Sequence, residues 1–77
     1  MKIKVKFVGY LNIKGVKDNS WINIEDSKSI SQLLINHGIS LENQKYITAT
    51  VNKKSQSLSY VFCDNDELFL HLPVGGG

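Results

Sequence analysis

The chain of 77 residues contains no arginine, and its nine basic residues are all lysines, set against seven acidic residues. Arginine makes the bidentate contacts to phosphate and guanine that nucleic-acid-binding proteins favour. Its absence, together with a net charge of only +2, argues against nucleic acid as a partner. The single cysteine, Cys63, excludes an internal disulfide framework, so we expect a reducing compartment and a cytoplasmic protein.

Long apolar runs are also missing. No stretch approaches the roughly 20 apolar residues that a membrane-spanning helix needs, so no membrane partner is predicted. The opening of the chain alternates lysine with apolar side chains, unlike the continuous apolar middle of a signal peptide. A chain of this length is expected to form one domain with a small core.

Alternating apolar and polar residues predict four strands. They cover residues 1–11, 21–25, 46–52 and 67–72, with polar loops at 12–20 and 53–57. In the first strand, Lys2, Lys4 and Lys6 share the face opposite the apolar residues, which is the pattern of a strand with one wet face. In the last strand the leucines face the core, and this leaves Phe69 and His71 on the open face.

A helix is predicted between the second and third strands. Ser29 followed three residues later by Gln32 forms a capping-box pattern, which marks a helix start. Gly38 stands where a helix ends in a left-handed residue, so the helix has about two and a half turns. One helix covers only one face of a sheet, which predicts a two-layer α+β domain with a mixed sheet of four to five strands. Two hairpins bridged by a single helix describe the ubiquitin-like β-grasp.

The chain shows no convincing catalytic or metal site. Cys63, His37 and His71 could in principle supply a nucleophile and a base, but Cys63 in an apolar run is more often a small buried hydrophobe. His37 near the helix C-terminus has a structural role there, because a cation favours the helix dipole. The acidic residues 64–67 lack the spacing of a calcium loop, so we expect a turn there. No catalytic residue and no metal ligand is therefore predicted.

The C-terminal residues are the most informative part of the sequence. Pro73 cannot continue a sheet ladder, so the domain is predicted to span residues 1–73 and a flexible tail residues 74–77. Glycines without a Cβ let the backbone pass through a narrow channel and present its terminal carboxylate to another protein. The alternative is a frayed end or a linker scar, although here the glycines follow the last strand directly.

Several short motifs occur in order along nearly the whole chain. They are Lys4-Val5-Lys6-Phe7-Val8-Gly9, the helix ending near Gly38, Val51-Asn52, Phe62-x-Asp64-Asn65-Asp66-Glu67-Leu68 and Pro73-Val74-Gly75-Gly76-Gly77. Together they resemble the small sulfur-carrier subunit of molybdopterin synthase, within the MoaD/ThiS-like family. The family ending is usually Pro-Pro-Val, a small residue and Gly-Gly, so Leu72 departs from it. Lys53 and Asn65 also stand where glycine is common, which leaves the molybdopterin, tungstopterin and thiamine pathways open.

The resemblance implies a non-catalytic sulfur donor rather than an enzyme. An ATP-dependent activating enzyme would adenylate the Gly77 carboxylate, and a persulfide donor would convert it to a thiocarboxylate. Val74, Gly75, Gly76 and Gly77 would then enter the active site of the synthase large subunit, which supplies the catalytic residues. No tightly bound cofactor is implied. The alternatives are a sulfur carrier for thiamine thiazole synthesis and a ubiquitin-like modifier that is conjugated through Gly77.

The open face beside the predicted tail is the expected docking surface. Phe69, His71 and Pro73 are predicted to seat the domain on its partners, because exposed aromatic residues often anchor protein interfaces. The alternative is that Tyr10, Trp21 or loop residues merely shield Phe69. A weaker hypothesis gives the lysine face to single-stranded nucleic acid, although alternate lysines on a strand more often mark a solvated or protected sheet edge.

Overall fold

The computed structural model describes residues 1–8, 11 and 13–72. Five strands, one α-helix and one 3₁₀ helix follow in this order: β1 Lys2–Phe7, β2 Ser20–Asn23, α1 Ile30–Asn36, the 3₁₀ helix Leu41–Tyr46, β3 Thr48–Val51, β4 Lys54–Gln56 and β5 Glu67–His71. In the described part of the chain, no helix is long and apolar enough to span a membrane.

The five strands form one mixed sheet in the order β2-β1-β5-β3-β4. β1 and β5 run parallel at the centre, while the pairs β1–β2, β3–β5 and β3–β4 are antiparallel. The buried residues of α1 join the same core cluster as those of the two central strands, so the helix covers one face of the sheet. The predicted two-layer α+β architecture is confirmed.

The core lies between the helix and the sheet. The largest side chains that are less than 2% exposed belong to β1, α1 and β5: Ile3, Val5, Ile30, Leu34, Leu68 and Leu70. The alternation predicted for β1, β3 and β5 is therefore correct, because alternate side chains of a strand point to opposite faces of the sheet. Burial of these aliphatic side chains is the main source of stability in a domain this small.

Helix α1 begins and ends where the sequence predicts. The Ser29 side chain accepts a hydrogen bond from the backbone N–H of Gln32, and the Gln32 side chain accepts one from the Ser29 N–H. At the other end Gly38 has a φ of +94°, and the Ile39 N–H donates to the Leu34 carbonyl at 2.8 Å. This is a Schellman motif, and it ends the helix after seven residues, about two turns.

Two predicted loops contain more structure than expected. Residues 54–56 form β4, the edge strand that pairs with β3, and Asn52 and Lys53 make the turn between them with positive φ values of 52° and 70°. β4 was missed because it is held by backbone pairing and carries no apolar alternation. In the 12–20 segment, Ile13 and Val16 are buried, so this loop contributes to the core.

The expectation of a buried cysteine is wrong. Cys63 is exposed, and Val61, two residues before it, is 50% exposed, whereas Phe62 between them is buried. Of residues 60–62, Phe62 is fully buried, Tyr60 is half-buried and Val61 is exposed. The prediction failed because an apolar run outside a regular element has no fixed period from which burial could be derived.

Candidate docking surface

The open face of the sheet carries the side chains that alternate with the core residues. The pairing registers place Lys6 beside Phe69 and Phe69 beside Thr50, and they place Thr48 beside His71. These residues belong to β1, β5 and β3, so neighbouring strands bring together side chains that are far apart in sequence. The predicted position of Phe69 and His71 on this face is correct.

Phe69 and His71 form one stacked unit. Their ring centroids are 4.1 Å apart and the ring planes are inclined by 24°. The Nζ of Lys6 lies 5.9 Å from the Phe69 ring centroid, within the range of a cation–π contact. Both rings are half-buried. The stack restricts the rotamers of both side chains, so binding at this surface would cost less conformational entropy.

Trp21 is an exposed aromatic residue on the same face of the sheet. It is 50% exposed and lies on β2, in register with Lys4 of β1. β1 therefore separates Trp21 from the stacked unit on β5. Lys4 is in turn in register with Glu67 at the start of β5. The alternative in which Tyr10 shields Phe69 concerns a residue outside the described part of the chain.

The lysines of β1 do not protect a sheet edge. β1 is paired with β2 on one side and with β5 on the other, so the edges of the sheet are β2 and β4. The edge-protection interpretation of Lys2, Lys4 and Lys6 is therefore wrong. It failed because the sequence of a single strand does not reveal how many neighbours the strand will have.

The beginning of β5 is anchored by a buried carboxylate. Asp66 is 4% exposed and accepts three hydrogen bonds of 2.8 Å, from the Asn52 side-chain amide, the Tyr60 hydroxyl and the backbone N–H of Cys63. Asn52 also pairs with Glu67 through its backbone and side chain. The sequence predicted only a turn here. Three polar residues separated by six to fourteen positions carry no local signal of a shared network.

The end of β5 leads toward the predicted reactive residues. β5 ends at His71, and Leu72 packs partly buried against the core. Of the predicted site, Phe69 and His71 lie on the open face just before this end. Pro73, Val74, Gly75, Gly76 and Gly77 lie outside the described residues, so the domain boundary at 73 stays a prediction.

The residues considered for catalysis do not form a catalytic arrangement. The Nδ1 of His37 donates to the Lys14 carbonyl at 2.8 Å on the helix side of the sheet, whereas His71 is stacked on the open face. A cleft of about 180 Å³ beside α1 is lined by His37 together with Asn23, Glu25, Lys28 and Asn36. Within residues 1–8, 11 and 13–72, no group of three His, Cys, Asp or Glu side chains is placed to hold a metal ion.

Two solved structures resemble the chain throughout. One is the crystal structure of SAMP1 from Haloferax volcanii, at 18% identity over the whole of both chains, with a TM-score of 0.68. The other is the H. volcanii small archaeal modifier protein 1, at 17% identity over 95% of this chain and 98% of that one, also with a TM-score of 0.68. This chain has the ubiquitin-like β-grasp fold. No protein-family model and no curated protein matches the sequence, so the likeness extends to the fold and no further.

Proposed function

We propose that this chain is a sulfur carrier whose Gly77 carboxylate is adenylated and then converted to a thiocarboxylate that donates sulfur in molybdenum or tungsten cofactor biosynthesis. The observation that carries the proposal is the ending Pro73-Val74-Gly75-Gly76-Gly77 directly after the last strand of a β-grasp domain. The resemblance to the MoaD/ThiS-like family along the rest of the chain supports a carrier function, and the Pro73-Val74-Gly75 ending favours the pterin pathway over thiamine thiazole synthesis.

The chemistry requires a free carboxylate at Gly77 and a partner that supplies the catalytic groups. A carboxylate oxygen attacks the α-phosphorus of ATP, pyrophosphate leaves, and the acyl carbon then carries AMP as a good leaving group. A persulfide sulfur displaces AMP, and a thiol cleaves the resulting disulfide to release the thiocarboxylate. In this scheme the chain is a co-substrate, so its own side chains position the tail and the partners perform the catalysis.

The proposal assigns docking to the stacked unit of Phe69 and His71, together with Pro73. The rings lie on the last strand, two to four residues before Pro73, so a protein that grips them holds the start of the tail. An anchored domain converts entry of the tail into an intramolecular step, which raises its effective concentration at the partner site.

A protein modifier is the second candidate function. It is favoured by the small archaeal modifier protein 1, which shares the fold over 95% of this chain. Conjugation would begin with the same adenylate but would end in an isopeptide bond between Gly77 and a lysine of a target. Sulfur transfer to the thiamine thiazole ring is a further alternative that needs the same thiocarboxylate.

Intact-mass analysis tests the proposal. The chain is incubated with an activating enzyme from the same genome, ATP and a persulfide donor, and we expect one oxygen to be replaced by sulfur. A chain extended by one residue after Gly77 serves as the matched control and should stay unmodified. Thiocarboxylated chain is then given to the molybdopterin synthase large subunit or to the thiazole synthase, and sulfur transfer to only one of them identifies the pathway.

The same mixtures distinguish the modifier function. After proteolysis, conjugates would appear in the mass spectrum as target peptides in which a lysine is joined to Gly77 by an isopeptide bond. A chain that is adenylated, acquires no sulfur and forms such conjugates would overturn the carrier proposal in favour of the modifier. A chain that no activating enzyme adenylates would overturn both.

A further inference from the structure

β2 is an edge of the sheet whose outer side is open to a further strand. Just after β2, the Ile24 N–H donates to the Met1 carbonyl at 2.9 Å, and the Met1 amine donates to the Ile24 carbonyl at 3.0 Å. In an antiparallel pair such exchanges recur at every second residue, so the intervening Trp21, Asn23 and Glu25 direct their N–H and C=O groups outward. In the part of the chain that the structure describes, no strand pairs with this outer side.

The two edges of the sheet differ in how they are protected from pairing. β4 has only three residues, begins with Lys54 and carries no apolar side chain. Short strands and lysines are the usual means by which proteins block pairing at an edge. β2 contains neither lysine nor proline, and its Trp21 side chain is 50% exposed. The β2 edge therefore combines free backbone groups with an apolar side chain that an added strand would cover.

The cleft beside α1 reaches this edge. Its apolar wall is formed by Ile24 and Leu33, and Asn23 lines it as well. Ile24 lies on the helix side of the sheet and Asn23 on the open side, because neighbouring residues point to opposite faces, so the cleft extends to the outer rim of the strand. Ile22 and Ile24 are only partly buried against the core. A strand added to β2 would place its side chains opposite these two isoleucines, at the mouth of the cleft.

The sequence of β2 matches its own edge. Aliphatic residues pair favourably with each other across antiparallel strands, so Ile22 and Ile24 each favour an aliphatic residue opposite them. The segment Ile22-Asn23-Ile24 reads the same in both directions. An antiparallel pair centred on Asn23 sets Ile22 of one copy opposite Ile24 of the other, and symmetry repeats this contact. The same register joins the outward backbone groups of Trp21 in one copy to those of Glu25 in the other.

We propose that two copies of this chain pair antiparallel through β2, about a two-fold axis at Asn23, and form one continuous sheet. Each copy places Ile22 at the mouth of the other copy's cleft, beside Ile24 and Leu33. Two-fold dimers in which both copies use the same surface are the commonest homo-oligomers. The paired segment covers residues 20–26 of each copy. It is shorter than an interface of about 800 Å² per partner requires, so the dimer is weak and exchanges with the monomer.

Pairing at β2 does not depend on the proposed function and is compatible with it. Residues directly opposite each other in an antiparallel pair share a face, so the open faces of the two copies lie on the same side of the joined sheet. β1 separates β2 from β5 in each copy. The stacked units of Phe69 and His71 therefore stay uncovered in the dimer.

The first experiment blocks the backbone of one edge at a time. Asn23→Pro removes an outward N–H that the domain does not use, and proline is tolerated on an edge strand at such a position. Ser55→Pro is the matched control on β4. Ser55 follows the pair Val51–Lys54, which closes a two-residue turn, so its N–H also points outward. Sedimentation equilibrium measures the mass of each chain between about 10 μM and 1 mM.

The unaltered chain and Ser55→Pro should rise from the mass of one copy toward that of two over this range. Asn23→Pro should raise the dissociation constant about tenfold, because it removes both hydrogen bonds that Asn23 exchanges across the axis. Its melting temperature should stay close to that of Ser55→Pro. An unaltered chain that keeps the mass of one copy throughout, or a dimer that Asn23→Pro does not weaken, overturns the proposal.

The second experiment tests the register and does not rely on proline. Trp21→Glu sets a carboxylate opposite Glu25 of the second copy at two places, whereas Trp21→Lys sets an ammonium group there. Trp21 is 50% exposed, so both variants should fold. We expect Trp21→Glu to raise the dissociation constant about tenfold, and Trp21→Glu/Glu25→Lys and Trp21→Lys to dimerise as well as the unaltered chain. Equal effects of Trp21→Glu and Trp21→Lys overturn the register centred on Asn23.

The remaining outcomes separate this dimer from other occupants of the edge and from the proposed function. Trp21 is the single tryptophan, so its emission reports on the β2 edge. A monomeric chain whose Trp21 emission shifts with a synthetic peptide of alternating valine and threonine would show that the edge takes a strand of another protein, which overturns the dimer. A monomeric chain that still forms thiocarboxylate loses only the dimer, whereas a dimer that is never adenylated contradicts only the proposed function.

Discussion

The Tyr60 hydroxyl donates a hydrogen bond of 2.8 Å to the buried carboxylate of Asp66. This hydrogen bond, together with partial burial and the negative charge of Asp66, raises the pKa of Tyr60 from 10.0 to about 12. Asp66 directly precedes β5, the strand that carries Phe69 and His71. The hydrogen bond therefore connects the Tyr60 side chain to the start of that strand.

Stability should therefore fall as the pH rises from about 10 to about 12. Below pH 10 the phenol is protonated in both the folded and the unfolded chain, so the contribution of the hydrogen bond is fully present. Above that pH the unfolded chain loses its proton first, which favours unfolding, and the contribution is gone once the folded pKa is passed. Urea unfolding at several pH values, compared between the unaltered chain and Tyr60→Phe, isolates this effect, since the other titratable groups are the same in both.

Phenolate absorbance gives an independent check of the same pair. The unaltered chain should show a late-titrating component that Tyr60→Phe lacks. If the titration curves of the two proteins differ by a component with an ordinary tyrosine pKa, the Tyr60–Asp66 hydrogen bond does not form in solution.

Lys53→Gly should stabilise the domain. Lys53 has a φ of 70°, in the left-handed region that costs an ordinary residue about 1–2 kcal/mol, and glycine adopts it without that cost. The greater freedom of glycine in the unfolded chain offsets part of the gain, so we expect about 0.5–1 kcal/mol in the free energy of unfolding. Lys54→Gly, one residue later in β4, is the matched control and should destabilise. A lower urea midpoint for Lys53→Gly would show that the turn has another geometry.

Phe69→Ala should weaken binding to the synthase large subunit by about 2 kcal/mol, roughly thirtyfold in Kd, because it removes the aromatic anchor and the stack with His71. Thr50→Ala, at the position in register on β3, is the matched control and should have little effect. Isothermal titration calorimetry gives both affinities.

Thermal melts of the isolated variants separate docking from packing. Leu68→Ala removes a fully buried side chain and should cost about 2–5 kcal/mol, whereas half-buried Phe69 should cost clearly less. Undiminished affinity of Phe69→Ala, or a melting temperature as low as that of Leu68→Ala, would show that Phe69 packs within the domain and does not dock a partner.

Gly76→Val should abolish most sulfur transfer and leave the fold unchanged. A β-branched side chain restricts the backbone and widens the chain where the partner is expected to admit only a narrow tail. The melting temperature should move little, in line with changes of within about ±0.5 kcal/mol at positions outside the core. Gly76→Ala is the graded control and should keep partial activity. Transfer at the normal rate by Gly76→Val, measured by intact mass, would exclude a narrow channel.

Local sequence determined the helix limits and the faces of the strands. Ser29, Gln32 and Gly38 act through hydrogen bonds and backbone angles within a few residues of themselves, so their pattern predicted both ends of α1. The alternation in β5 likewise placed Phe69 and His71 on the open face, since the two-residue period of a strand needs no knowledge of its neighbours.

Only the tertiary structure decided which strands are central and which polar groups are buried. β1 lies between β2 and β5, and this turned its lysines from an expected edge guard into part of an open face. β4 exists because β3 offers it backbone partners, and Asp66 is buried because Asn52 and Tyr60 arrive from other segments to donate to it. Backbone pairing and shared hydrogen bonds act between residues distant in the chain, so no local pattern of residues encodes them.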